Sequence, residues 1–163
     1  MKKLLVLLVS SLALAQGNFH LEVPAFTAHT PLRSVCDGRN SSPAFAFSGL
    51  PAGTRSLALV LWDPGYRGGL IARWVVYDIP PTAKFPAGLP REALLGNGAK
   101  QGHNGLGRLG YDAPCQPGQY QIDLYALDVP SLGLPPGAGL HRVKAAIQKH
   151  RFAEAILKVS LKR

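Results

Sequence analysis

The chain has 163 residues, 18 Lys and Arg against 9 Asp and Glu, and a formal net charge of +9. That length suits one domain, and 47% hydrophobic residues exclude a chain too polar to fold. The basic excess favours anionic partners, but no basic run with interleaved aromatics appears, which argues against a nucleic-acid surface.

Residues 1–15 read as a leader. Lys2 and Lys3 precede an apolar run from Leu4 to Leu14, and Ala13-Leu14-Ala15 has the small-x-small pattern of a signal-peptidase site. Cleavage is expected before Gln16, leaving 16–163 as a single exported domain, periplasmic or secreted. The run falls short of the ~20 apolar residues of a spanning helix, so no stable membrane span is expected. No cysteine follows it to carry a lipid.

Phe19 to Phe26 reads as a strand interrupted by Pro24, and Thr30 to Phe47 as turn-rich chain. Ser56 to Trp62 (SLALVLW) is a near-continuous apolar run of strand length, hence a buried strand. Asp63 to Gly69 reads as a loop, Arg73 to Ile79 as a second buried strand, and 82–101 as irregular. Gln119 to Leu127 is a third strand, with Tyr120, Ile122, Leu124 and Ala126 on one face.

From Leu140 to Leu157 the apolar positions step by three and four: Leu140, Val143, Ile147, His150, Ala153, Leu157. This predicts a helix packed on the sheet, with Arg142, Lys144, Lys149 and Arg151 on its solvated face and His150 as a hydrogen-bonded core residue. Lys158 to Leu161 reads as a short closing strand. The fold expected is mainly β with a C-terminal helix.

Between the second and third strands lies Gly102 to Gly118, GHNGLGRLGYDAPCQPG, with five glycines and two prolines. Long irregular loops inside a domain are more often binding loops than filler, and glycines let backbone N–H groups approach a ligand. The GxGxxG at Gly105–Gly110 is no dinucleotide site, because Pro114 and Pro117 forbid the helix that must follow it. No serine sits in a G-x-S-x-G turn, and the five histidines have no metal-ligand spacing. His103 is either a general base or, more ordinarily, a loop-stabilising hydrogen-bonding group. The chain's two cysteines, Cys36 and Cys115, are expected to be bridged in an exported protein.

Several separated motifs line up: Cys36-Asp37-Gly38 with Ser42-Pro43, Asp63-Pro64, Arg73-Trp74-Val75-Val76, Gly102-x-Asn104, Gly110-Tyr111-x-x-Pro114 and Leu124-Tyr125-Ala126-Leu127-Asp128. In order and spacing the chain resembles the phosphatidylethanolamine-binding protein family, in its bacterial Raf-kinase-inhibitor-like branch, from about Val35 to the C-terminus. The resemblance implies an antiparallel β-sandwich, a large sheet on a smaller one, with a small anion pocket at one end. Family members bind phosphoryl headgroups there, and some inhibit kinases or serine proteases; no metal, cofactor or catalytic residue is implied. Carried over, the ligand-binding residues are Asp63, Pro64, Arg73, Gly110, Tyr111, Pro114 and Tyr120.

The chain departs from the family pattern at telling places. Arg73 stands where the family has a histidine before Trp74, and the histidine expected before Tyr120 is absent. Gly65-Tyr66-Arg67 replace the end of the family's DPDAP loop. Two readings of Arg73 follow: an anion site with a permanent charge and a planar fork of donors, or a structural ion pair with Asp63 that fills the pocket. The function expected is a non-enzymatic binding protein for a small anionic ligand or phospholipid headgroup. The alternative is a protease or kinase inhibitor docking a protein target through residues 65–72, with a vestigial pocket; a hydrolase using His103 is a third.

Overall fold

The computed structural model describes residues 17–163; the leader expected over 1–15 lies outside the described residues. In chain order the elements are β1 (His20–Glu22), β2 (Thr30–Pro31), α1 (Leu32–Val35), β3 (Ala46–Ser48), β4 (Ser56–Tyr66), β5 (Gly69–Ile79), β6 (Lys100–Gln101), β7 (Gly118–Leu127), α2 (Leu140–His150) and β8 (Arg151–Lys162). The large sheet has six strands in the order β2-β8-β7-β4-β5-β6, and β1 and β3 form the small one. Neighbouring strands are antiparallel except β2 and β8, which run parallel.

β4 is apolar without alternation because it is covered on both faces. Leu57, Leu59 and Leu61 point into a core shared with Trp74, Val76 and Leu124, which the small sheet closes with Leu21. Ala58 and Val60 point the other way, toward Val75, Tyr77 and Leu127 under Val143 and Ile147 of α2. The mainly β architecture with a helix on the sheet is as the sequence predicts.

Three boundaries differ. The strand expected over Phe19–Phe26 is paired only over His20–Glu22. Asp63–Gly69 is not a free loop but the tip of a β4–β5 hairpin, in which Tyr66 pairs with Gly69. Its two-residue turn is Arg67 (φ 46°) and Gly68 (φ 78°), the paired left-handed conformation that matches strand twist. A register irregularity between Asp63 and Tyr66 accommodates Pro64, which has no N–H to give to a ladder.

The largest correction concerns the C-terminus. The helix stops at His150, and β8 follows at once for 12 residues. Ala153 and Leu157 satisfy a helical step and a strand alternation alike, so periodicity alone could not separate them. Pairing with β7 from Gly118↔Leu161 to Leu127↔Arg151 decides the matter. His150 is accordingly no core residue: it sits part-exposed at the helix end, its Nδ1 3.0 Å from Asp128 Oδ1.

Ala155 distinguishes the two readings, since it lies off the helical stripe yet is buried against the main core. Ala155→Glu should therefore destabilise the fold by at least about 3 kcal/mol, the cost of an unpaired buried charge. Denaturant unfolding checks this; a change within about 0.5 kcal/mol, as at an exposed position, would contradict the strand.

Candidate functional site

The tip of the β4–β5 hairpin, the start of β7 and the loop before it converge at one end of the large sheet. There β4 carries Asp63 and β5 carries Arg73, with side chains only 6% and 8% exposed. Arg73 Nε donates to Asp63 Oδ2 at 2.7 Å, and Arg73 Nη1 donates to the Ala113 carbonyl at 3.2 Å. The other Asp63 oxygen accepts from the Gly65 N–H at 3.1 Å. Of the two readings of Arg73, the ion pair is formed. Such a pair trades desolvation against Coulomb attraction and adds little net stability, but removing either partner strands a buried charge.

Beside this pair opens a cleft of about 380 Å³, walled by Gly65–Arg67 on one side and Gln116–Tyr120 on the other, with Asp63 at its floor. The Tyr120 hydroxyl donates to the Gln116 carbonyl at 2.8 Å. Burial, with the Asp63 charge second, pushes the Tyr120 phenol above its ordinary value, so it stays a neutral donor. Two guanidinium groups approach the Tyr66 ring, with Arg73 Cζ 5.5 Å and Arg67 Cζ 5.4 Å from its centroid. Arg67 is exposed, the cation at the mouth.

The other site residues read from the sequence lie outside the cleft lining. Pro64 is exposed on β4. Gly110, Tyr111 and Pro114 belong to the loop behind Arg73. Gly110 takes φ 82° and its N–H donates to the Gly102 carbonyl at 3.3 Å. Tyr111 is buried edge-on to Trp74, ring centroids 5.4 Å apart, and burial pushes its phenol well above the ordinary range. From the sequence, Tyr66 and Arg67 fall only in the 65–72 docking loop and Gln116–Gln119 have no site role; all of them line the cleft.

Gly102 and Gly105 pack the loop onto β5. The Gly105 N–H donates to the Ala72 carbonyl at 2.7 Å and the Gly102 N–H to the Val75 carbonyl at 3.0 Å. A Cβ on Gly105 would come within 2.9 Å of Ile71 Cβ and 3.0 Å of the Ala72 nitrogen. His103 is held by a loop hydrogen bond, its Nδ1 2.6 Å from the Gly137 carbonyl oxygen.

A second group missed from the sequence fixes the loop. Asp112 Oδ2 accepts from Asn104 Nδ2 at 2.6 Å and Arg108 Nε at 2.8 Å; Oδ1 accepts from Arg91 Nη2 at 3.1 Å and Asn40 Nδ2 at 3.3 Å. Burial opposes the charge, but these hydrogen bonds outweigh it and hold the Asp112 carboxyl below its ordinary value. Asn40 Oδ1 also accepts from the Ala113 N–H at 2.7 Å. The same two loops are joined by the Cys36–Cys115 disulfide, Cα atoms 5.1 Å apart across 79 residues of sequence.

Two outcomes follow. Replacing both cysteines by serine should cost up to about 4–5 kcal/mol, the chain-entropy value for a loop of this length, measured by denaturant unfolding against the bridged protein. The Asp112 contribution is fully present above the unfolded carboxyl value of 3.8, and is lost as the pH falls through its lower folded value. Asp112→Asn should cost about 2 kcal/mol at neutral pH and flatten the acid limb of stability against pH. An unchanged acid limb would mean Asp112 is not the group responsible.

The chain matches the family model described as Phosphatidylethanolamine-binding protein over residues 22–162. A protein of Methanothermobacter thermautotrophicus named UPF0098 protein is 39% identical over 131 residues, 78% of this chain and 86% of that one. A Mycobacterium tuberculosis relative carrying a lipoprotein name, LppC, is 37% identical over 127 residues, 74% of this chain and 60% of its own length. The crystal structure of Escherichia coli YbcL, described as a new member of the mammalian PEBP family, aligns with a TM-score of 0.76. It covers 89% of this chain and 98% of that one at 24% identity, a likeness of fold. With the family match spanning nearly all described residues, the chain belongs to the phosphatidylethanolamine-binding protein family.

Proposed function

We propose that this protein is an exported ligand-binding member of its family, taking a small anionic or phosphoryl group at the cleft beside Asp63 and Tyr120. The observation that carries the reading is the open cleft of about 380 Å³ with Arg67 at its mouth and the Asp63–Arg73 pair beside its floor. Arg73 is already neutralised by Asp63, so attraction for an anion falls chiefly to Arg67. Its guanidinium presents a planar fork to phosphate or carboxylate, and the Tyr66 face steadies it. A zwitterionic headgroup fits this polarity, with its phosphoryl toward Arg67 and its amine toward the Asp63 carboxylate. Pro64 and the Gly110–Pro114 loop support the site from behind, the loop through the Ala113 carbonyl on Arg73.

The cleft lining includes no serine, cysteine or histidine, which favours binding over nucleophilic turnover. Export is supported by the composition of residues 1–15, by the Cys36–Cys115 bridge and by the lipoprotein name of the LppC relative. One observation favours the inhibitor reading as second choice: the hairpin tip is a tight turn that presents Leu70, 59% exposed, close to Arg67. Such a tip suits a protein partner's pocket.

An NMR titration with inorganic phosphate and with phosphoethanolamine tests the proposal. Saturable shifts are expected over Tyr66–Gly68 and Gln116–Tyr120, about tenfold weaker in Arg67→Ala and lost in Arg73→Ala, which leaves Asp63 unpaired. Absence of shifts at about 10 mM of either probe, weaker than any useful affinity, would reject the site. Inhibition of a serine protease by the ligand-free protein would then favour the hairpin tip.

A further inference from the structure

A second cavity, of about 290 Å³, shares no lining residue with the cleft. Its apolar walls are Pro24 and Phe26 from the chain after β1, Val35 from α1, and Pro43 and Ala87. Tyr111 lines it too, although only 4% of that residue is exposed. The other buried tyrosines all spend their hydroxyls within the protein: Tyr77 donates to the Pro135 carbonyl, Tyr120 to the Gln116 carbonyl and Tyr125 to Asp123 Oδ2. The Tyr111 hydroxyl alone among them makes no hydrogen bond to the described residues. Buried polar groups are nearly always paired, so the exception asks for a reason. No side-chain polar atom among the described residues is both sealed from solvent and unpartnered, so this hydroxyl opens onto the cavity that Tyr111 lines.

We propose that this cavity is a binding site, separate from the cleft, for a small neutral ring compound bearing a carbonyl oxygen. The oxygen accepts from the Tyr111 hydroxyl while the ring packs against Pro24, Phe26 and Pro43. Each part of that description has its cause. Burial holds the Tyr111 phenol above its ordinary value, so it stays protonated and donates. The other polar groups of the lining are already engaged: Ser42 Oγ accepts from the Leu89 N–H at 2.9 Å, Ser34 Oγ donates to the Pro31 carbonyl at 2.7 Å, and Arg39 Nε donates to Asp37 Oδ2 at 2.7 Å. The Asp37–Arg39 pair cancels its own charge, so an ionic ligand would shed water and gain no counter-charge. Mostly apolar walls around one orienting polar group are the ordinary make-up of a small-molecule site, and this volume, at the lower limit of such sites, suits a single ring.

The walls are held in place without a ligand. The Cys36–Cys115 bridge, and Asn40 Oδ1 accepting from the Ala113 N–H at 2.7 Å, fasten the segment after Val35 to the loop that carries Tyr111. The Ser42 carbonyl accepts from the Gly88 N–H at 2.9 Å, which fixes the chain beside Ala87, and the Phe26 N–H donates to the Val23 carbonyl at 2.8 Å. Edge-on packing against Trp74 sets the direction of the Tyr111 ring. A ligand entering a cavity already formed has little ordering cost to offset.

Benzamide, an uncharged ring with a carbonyl, is the probe, titrated into the protein and followed by amide NMR. Saturable shifts are expected at Phe26, Val35, Ala44 and Ala87, with a Kd of about 10 mM or tighter. Tyr111→Phe keeps the ring and deletes only the hydroxyl. It should weaken benzamide about tenfold and leave the Tm unchanged, because no hydrogen bond within the protein is lost. Benzoate, the same ring with a charge, should bind at least about tenfold more weakly than benzamide. No saturation by about 10 mM benzamide would overturn the proposal, the hydroxyl then being hydrated and nothing more. Equal affinity in Tyr111→Phe, or benzoate binding as well as benzamide, would overturn it by removing the basis of recognition. Shifts confined to Gln116–Tyr120 would place the probe in the cleft and overturn it equally. The responding amides are not those of the cleft, so this result stands apart from the phosphate titration.

Discussion

Everything in this fold follows from burying β4 on both faces. A strand reading SLALVLW has no side to offer water, so the chain must supply two covers. The small β1–β3 sheet with the 81–95 segment supplies one, and α2 with the segment leading into it supplies the other. β5 and β7 must flank β4 within the sheet to satisfy its backbone. Polar chemistry is thereby pushed to the ends of these strands, where β4 passes from Trp62 to Asp63 and leaves the core.

At that exit the chain accepts a buried carboxylate because a buried guanidinium lies one strand away. Asp63 and Arg73 neutralise one another, the Ala113 carbonyl takes a further Arg73 proton, and the Tyr66 ring lies over the pair. The loop that delivers Ala113 has no regular structure of its own. Its order comes from outside: Gly102 and Gly105 press onto β5, and Asp112 draws donors from three parts of the chain. The cleft is therefore shaped by a rigid wall on the β7 side and by a two-residue turn on the other.

Much of this was legible in the sequence, for a physical reason. Strands buried on both faces announce themselves as unbroken apolar runs, so β4 and β5 stood out, as did the alternation of β7. The family resemblance implied that Asp63, Arg73 and Tyr120 meet at one end of the sheet, which the residue pattern alone did not say. What failed was legible only in three dimensions. Ala153 and Leu157 fit two periods, and only pairing with β7 chose between them. Whether Arg73 faced a ligand or Asp63 depended on a distance that no spacing encodes. Asp112 looked like one more loop residue because its partners Asn40 and Arg91 lie far from it in sequence. Arg67 was hidden by its backbone: a non-glycine residue at φ 46° made the hairpin read as an open loop.

The two fastenings between the Cys36–Asn40 segment and the Asp112–Cys115 segment are chemically unlike. One is covalent and indifferent to protons; the other is a carboxylate network indifferent to thiols. Acid weakens one and reductant opens the other, so neither condition alone unfastens the loop. In logical terms the wall of the cleft is released by a conjunction, and a protein facing fluctuating pH or fluctuating redox poise keeps its site through each taken singly.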